Sequence, residues 1–238
     1  MKLSLNWRAA ICRRAGTLFR ARMTQNTSIT TIDDNRAGSL YDRIARLYDL
    51  TFKFNGYGRS LERYFREHPV PLEDDARILD AGCGTGLLTL ALLRTLPRPA
   101  HITAIDLSAS SLQKAREVIE QELRRGRAHR VGFLQANLLA LPFADETFDF
   151  ITTSGALEYV SLRDGLGELA RVLKPGGHLF HLPVRPTPAS TFLELLFRFK
   201  THPPREVDAN TKRYLRIVSR HRFPPTDIIG WTKIAIMA

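Results

Sequence analysis

Asp80, Gly82, Gly84 and Gly86 fall at every second position of Arg77-Ile78-Leu79-Asp80-Ala81-Gly82-Cys83-Gly84-Thr85-Gly86, and the apolar run Leu87 to Leu93 follows directly. An apolar strand ending in an acid, then glycines, then a helix lets a ligand lie against bare backbone. That is a nucleotide-type site. A dinucleotide turn spaces its glycines G-x-G-x-x-G to bring a helix N-terminus to a pyrophosphate. Here the pattern is D-x-G-x-G-x-G, with an acid inside the motif and the third glycine one residue early. An anion is poorly served beside Asp80. A ligand carrying an amino group and a sulfonium cation is well served.

Two further polar positions fit the same ligand. Asp106 ends the short strand pattern from His101 and lies 20 residues beyond Gly86, the distance at which a second-strand carboxylate reaches ribose hydroxyls. A carboxylate suits vicinal hydroxyls because it accepts two hydrogen bonds. Its plainer role is to cap the next helix, which Ser108 could do instead. Asn137 and Leu138 follow a third strand pattern, Val131 to Ala136. There the Asn137 side chain could accept from an adenine amino group while the Leu138 amide donates to the ring, or Asn137 could simply form a turn. Asp80, Asp106 and Asn137 thus sit at the carboxyl ends of successive strands, where open parallel sheets bind ligands.

The elements that must hold them alternate strand and helix. Residues 38–67 read as helical, with Leu40, Tyr41, Ile44, Ala45, Leu47 and Tyr48 on one face. Tyr41 and Tyr48, seven apart, share that face and could reach one ligand together or simply pack on the domain. Pro69 and Pro71 end this segment, and Ala76 to Ala81 form the first strand. Helices are expected over Thr85 to Leu96, Ser110 to Arg125 and Leu162 to Leu173. Strands are expected over Phe148 to Ser154 and His178 to Val184, the latter after a tight turn at Lys174-Pro175-Gly176-Gly177. Asp227 to Gly230 and Thr232 to Met237 read as the last two strands. No metal-ligand spacing, G-x-S-x-G elbow or phosphate-binding G-x-x-x-x-G-K occurs.

The glycine stretch resembles motif I of the class I S-adenosylmethionine-dependent methyltransferases. Two further passages resemble the ubiquinone and menaquinone C-methyltransferase group within them. One is Tyr41-Asp42 with Ala45 and Tyr48-Asp49. The other runs from Leu134 through Asn137-Leu138, Leu141-Pro142-Phe143 and Asp149 to Ser154. The likeness covers residues 40–182 and loosens beyond. It implies a Rossmann-like, doubly wound α/β fold whose mostly parallel seven-stranded sheet has an antiparallel edge and a helical cap. It further implies S-adenosyl-L-methionine as cofactor, held by Tyr41, Tyr48, Asp80, Gly82, Gly84, Thr85, Asp106, Leu107, Asn137, Leu138 and Ser154. The loop after the fourth strand would face the methyl group. Such enzymes mainly align reactants and exclude water, so no fixed catalytic triad is expected. A carbon or oxygen acceptor must lose a proton, and Glu158, Tyr159, His178 and His181 are open as the base. The implied activity is methyl transfer to a small lipophilic acceptor of quinone-precursor type. A phospholipid amine is the nearest alternative substrate.

Composition sets the outer bounds. At 238 residues the chain suits one α/β domain with a small cap. Residues 1–37 read as a basic tail, 38–72 as the helical cap and 73–238 as the main domain. Two cysteines, one of them in the ligand loop, favour a reducing compartment. No window reaches the roughly 18 apolar residues of a membrane span. The net charge of +11 is uneven. Residues 1–22 hold six Lys or Arg and no acid, fitting a transit peptide, a basic tail or an extension ahead of Met23. A cytoplasmic site is expected, with the mitochondrial matrix as the alternative. Residues 185–222 hold nine Lys or Arg against three acids and are expected to form a basic, apolar lid. It would receive a greasy substrate, touch an anionic membrane or pack with a solvated basic face. The charge also admits an RNA-binding or non-catalytic relative. With little aromatic interleaving and no RNA module, no nucleic-acid partner is expected.

Overall fold

A computed structural model describes residues 57–126, 128–184, 186, 194, 199–222 and 231–236. The expectations for residues 1–56, including Tyr41 and Tyr48, and for Asp227–Gly230 lie outside the described residues. Five strands form a parallel sheet: β1 (Ala76–Ala81), β2 (Ala100–Asp106), β3 (Arg130–Gln135), β4 (Phe148–Ser154) and β5 (Leu173–Leu182). Their order is β3-β2-β1-β4-β5. The chain therefore winds outward from β1 to β3, then returns to the other side of β1. That reversal opens a crevice at the carboxyl ends of β1 and β4, where α/β sheets bind ligands.

The sequence produces this because its strands are apolar on both faces, as strands covered by helices on each side must be. Neighbouring residues point to opposite faces. Ile78, Phe150 and Phe180 pack with Leu61, Tyr64 and Phe65 of helix α1 (Tyr57–Glu67) and Leu88 and Leu92 of α2 (Leu87–Thr95). Leu79, Ile151 and Leu179 pack on the other face with Leu162, Leu166 and Leu169 of α4 (Leu162–Val172) and Val207 of α5 (Pro204–Thr211). Helix α3 (Ala109–Leu123) begins at Ser108, whose side chain accepts from the Ser111 amide at 3.2 Å, so the capping role is filled without Asp106.

Two features depart from the sequence expectation. Lys174–Gly177 is a bulge inside β5 rather than a turn before it: Phe148 pairs with Leu173, yet Phe150 pairs with His178. Gly177 is required there, since a Cβ would sit 2.8 Å from Lys174 O and 3.1 Å from Asp149 O. Asp149 closes the bulge by accepting from Lys174 Nζ at 2.6 Å and ties it to β1 by accepting from the Arg77 amide at 2.8 Å. Second, the segment read as a lid contains helix α5 and a strand, β6 (Arg216–Arg222). That strand pairs antiparallel with β7 (Trp231–Ile236), which pairs antiparallel with β5. A strand rich in arginine is tolerable at a sheet margin because its charges deter pairing with another chain.

Side chains distant in sequence lock the helices. Arg94 of α2 donates to Glu62 of α1 and Glu122 of α3, each at 2.9 Å. Arg171 of α4 donates to Glu168 and Asp145 and to the carbonyls of Leu141 and Phe143, fixing the passage from β3 to β4.

Candidate functional site

The glycine loop is built by three left-handed residues, Gly82 (φ 73°), Gly84 (φ 53°) and Gly86 (φ 87°). Two of them are glycine for different reasons. A Cβ on Gly82 would lie 2.3 Å from the Ala156 Cβ, so the loop after β1 presses against the loop after β4. A Cβ on Gly84 would meet nothing within 4 Å, leaving bare backbone beside open space. The Gly82 and Cys83 amides both donate to Ile105 O, at 2.9 and 2.8 Å, which holds the loop against β2. Cys83 is buried beneath it, and burial pushes its thiol well up, with Asp80 and Asp106 acting the same way.

The structure brings Asp80, Asp106 and Asn137 to one edge of the sheet, on the neighbouring strands β1 and β2 and just beyond β3. Asp106 accepts the Gly84 amide on Oδ2 and the Ser108 amide on Oδ1, both at 2.8 Å. Each oxygen retains lone-pair capacity for a ligand hydroxyl. Leu107 beside it is 69% exposed, an apolar surface suited to a flat base. Asn137 Oδ1 accepts the Leu139 amide at 2.9 Å, so the oxygen expected to meet an adenine amino group is already engaged in a local turn. Leu138 is buried, Thr85 lies in the glycine loop, and Ser154 ends β4.

Asp80 is placed differently from the expectation that it meets a ligand amino group. Its carboxylate is 1% exposed and turned toward α2, where it accepts from the Thr89 hydroxyl at 2.5 Å and the Thr152 hydroxyl at 3.3 Å. Burial pushes its carboxyl up to about 6, against the pull of those two hydroxyls. Neither threonine was singled out from the sequence. Thr89 carried a signal: it is the one polar residue in the apolar run Leu87 to Leu93, and a buried hydroxyl needs a partner.

The four open base positions separate. His178 pairs with Phe150, four residues before Leu182, and so lies roughly 13 Å from the strand tip. Tyr159 is half exposed and packs on the Phe199 ring at 5.7 Å. His181 is buried and in register with Thr153, one step from the tip. Glu158 lies in the short 3-10 turn Leu157–Tyr159 after β4. It is 3% exposed, and burial pushes its carboxyl up to about 7, against the hydrogen bond donated by the Val184 amide. Among the described residues no group of His, Cys, Asp or Glu could hold a metal ion, and no helix is long and apolar enough to cross a membrane.

An open glycine backbone, a carboxylate with spare acceptor capacity and an exposed leucine therefore line one sheet edge, which fits an adenosine-containing ligand. A profile described as a methyltransferase domain matches residues 78–177, from β1 into the β5 bulge. The demethylmenaquinone methyltransferase of Corynebacterium urealyticum is 32% identical over 199 residues, covering 81% of this chain and 80% of that one. That of Thermus thermophilus is 37% identical over 155 residues, covering 64% and 68%. The geranyl diphosphate C-methyltransferase of Streptomyces coelicolor, solved with S-adenosyl-L-homocysteine, superposes with a TM-score of 0.61 at 18% identity, covering 74% of this chain and 75% of that one. The chain is an enzyme that uses S-adenosyl-L-methionine, and it belongs to the class I S-adenosylmethionine-dependent methyltransferases, resembling among them the ubiquinone and menaquinone C-methyltransferase group.

Proposed function

We propose that the enzyme methylates a small lipophilic acceptor of the quinone-precursor type. The observation that carries this reading is the 32% identity, over four-fifths of both chains, to a demethylmenaquinone methyltransferase. The bound cofactor supplies a methyl group already activated on a sulfonium. This chain's residues then have three tasks. Asp106 holds the ribose hydroxyls, Leu107 covers one face of the adenine, and Leu138 meets its edge with Asn137, whose oxygen keeps a second lone pair beside its turn bond to Leu139. Gly82, Gly84 and Thr85 let the amino-acid portion lie on the backbone, with Asp80 bracing that loop from beneath through Thr89 and Thr152. Ser154, at the end of β4, marks where the methyl group leaves. The family resemblance assigns Tyr41 and Tyr48, in the cap read over 38–72, to closing the site and excluding water; both lie outside the described residues.

The acceptor enters over the tips of β4 and β5, where the Tyr159 and Phe199 rings offer an apolar wall. Exposed Lys212, Arg213, Arg216 and Val218 would let the protein rest on an anionic membrane that holds such an acceptor, with the compartment being cytoplasmic. In this reading residues 73–238 are the methyltransferase domain, β6 and β7 are the antiparallel edge that completes its seven-stranded sheet, and residues 1–37 are a separate basic tail.

The test is transfer of label from methyl-labelled S-adenosylmethionine to a short-chain demethylmenaquinol kept reduced, followed by mass spectrometry of the organic phase. One added methyl on the ring is expected. Label entering an extracted phospholipid amine or RNA, with none on the quinol, would replace this acceptor.

A further inference from the structure

The carboxyl edge of the sheet has two halves. β1, β2 and β3 carry the groups suited to the nucleoside. β4 and β5 carry polar atoms that this nucleoside site does not use. Because the Gly82 loop abuts Ala156 in the loop after β4, whatever extends past the cofactor's methyl end meets β4 and β5 next. Glu158 is fixed there: its Oε1 accepts the Val184 amide just past the β5 tip at 2.7 Å. The chain is roofed at that point, since the Lys200 amide donates to the Glu158 carbonyl at 2.9 Å and Phe199 is buried beside Tyr159.

Glu158 Oε2 is also buried, and among the described residues it has no hydrogen-bond partner. Thr153 Oγ1, one residue before the end of β4, is in the same condition. Buried polar atoms without partners are rare because each forfeits its water bonds with nothing in return. Fastening Val184 does not explain the carboxylate. A glutamine oxygen would accept the same amide and bury no charge. The second oxygen therefore awaits a donor that arrives with a ligand.

We infer that Glu158 is an acceptor-site residue whose Oε2 takes the hydrogen bond of a hydroxyl on the methyl acceptor, orienting the acceptor over the tips of β4 and β5. This rests on the methyltransferase assignment and adds a residue on the acceptor side of the site. Burial that raises the carboxyl's proton affinity acts in the same direction, since such a group shares an incoming proton readily.

The test uses the full chain saturated with S-adenosylhomocysteine, whose binding is measured first by calorimetry. Two probes are titrated anaerobically: 2-methyl-1,4-naphthohydroquinone and its 1,4-dimethyl ether, which keeps the ring and lacks the donors. The hydroquinone is expected to bind roughly ten-fold more tightly, the scale of a hydrogen bond to a charged group. Glu158→Gln, which can still accept from Val184, should bring that ratio below about two-fold with S-adenosylhomocysteine affinity intact. Glu158→Leu should do the same if it folds. A residue that merely fastens Val184 would weaken both probes together and leave the ratio unmoved. An unchanged ratio in the glutamine variant, no preference in the parent, or no binding of either probe to the loaded parent overturns the inference. Failure of the parent to bind S-adenosylhomocysteine would instead overturn the reading of the site itself.

Discussion

Removing the Asp106 carboxylate tests whether the nucleoside site has been placed on the correct strand. The carboxylate is already doubly engaged, by the Gly84 and Ser108 amides at 2.8 Å each. About four lone-pair positions are available on it, so two remain, one per oxygen, matching a pair of vicinal hydroxyls. Asp106→Ala should therefore weaken S-adenosylhomocysteine binding by roughly 1 to 3 kcal/mol, or about 5- to 150-fold. Folding stability should change less, because Asp106 is only partly buried and water can reach the two amides it leaves. A double cycle isolates the ribose contact: the 2′-deoxy analogue should bind the parent several-fold more weakly, and that penalty should disappear in Asp106→Ala. Calorimetry on both proteins with both ligands gives the four affinities needed. If the variant folds and binds S-adenosylhomocysteine within two-fold of the parent, Asp106 is not in the site. If the 2′-deoxy penalty survives the substitution, the carboxylate supports the loop and does not touch the ribose.

Three other substitutions separate structural from binding roles. Gly82→Ala should lower the melting temperature sharply, since its methyl would lie 2.3 Å from the Ala156 Cβ. Gly84→Ala should cost only about 1–2 kcal/mol of backbone strain, yet weaken cofactor binding at least ten-fold, because its methyl points into the space left open; equal loss of stability in the two would contradict this contrast. Arg171→Ala leaves the Leu141 and Phe143 carbonyls and two carboxylates without their donor. It should cost about 2–4 kcal/mol in urea unfolding, and a loss below ~1 kcal/mol would mean that this network is dispensable. Glu158 has a folded-state pKa raised from 4.5 to about 7. The native state then holds the proton more tightly, so stability is highest at or below about pH 4.5 for this group and falls as pH rises toward 7. The full effect is on the order of 3 kcal/mol. Glu158→Gln should remove that part of the slope in denaturant melts at pH 5 and pH 8, and an unchanged slope would place the ionisation elsewhere.

What could be read from the chain beforehand was what local spacing encodes. The alternation of glycines after Asp80, the 20-residue step from Gly86 to Asp106 and the position of Asn137 after a strand each depend on neighbours along the chain. The five parallel strands and the edge they share follow from that pattern. Contacts between distant side chains were not legible in this way. Nothing local says that Arg94 meets Glu62 and Glu122, or that Arg171 reaches back to Leu141. Residues 185–222 read as a lid from their charge excess, whereas Arg216–Arg222 pairs with β7, a long-range match that local charge does not encode. The direction of the Asp80 side chain was the other gap. A strand residue at a tip can face the ligand crevice or a helix, and the presence of Thr89 in α2 decides between them.

That last point leads to a further expectation about charge. Asp80 is buried, and its carboxyl is pushed up to about 6. Its side-chain hydrogen-bond partners are neutral hydroxyls, and no cation pairs with it among the described residues. A ligand cation placed above the loop would stabilise the ionised form and draw its pKa back down, and by linkage the ligand would bind more tightly where Asp80 is ionised. S-adenosylmethionine carries a sulfonium, whereas S-adenosylhomocysteine carries a neutral thioether on an otherwise matching frame. The affinity ratio of the two should therefore rise in favour of the sulfonium as pH increases from 5 to 7.5, then level off. Calorimetric titration of both ligands at the two pH values measures it directly, since titrations common to both ligands cancel in the ratio. A ratio that does not change with pH would place the sulfonium beyond the reach of Asp80, and the acid within the glycine motif would then be a brace for Thr89 and Thr152 alone.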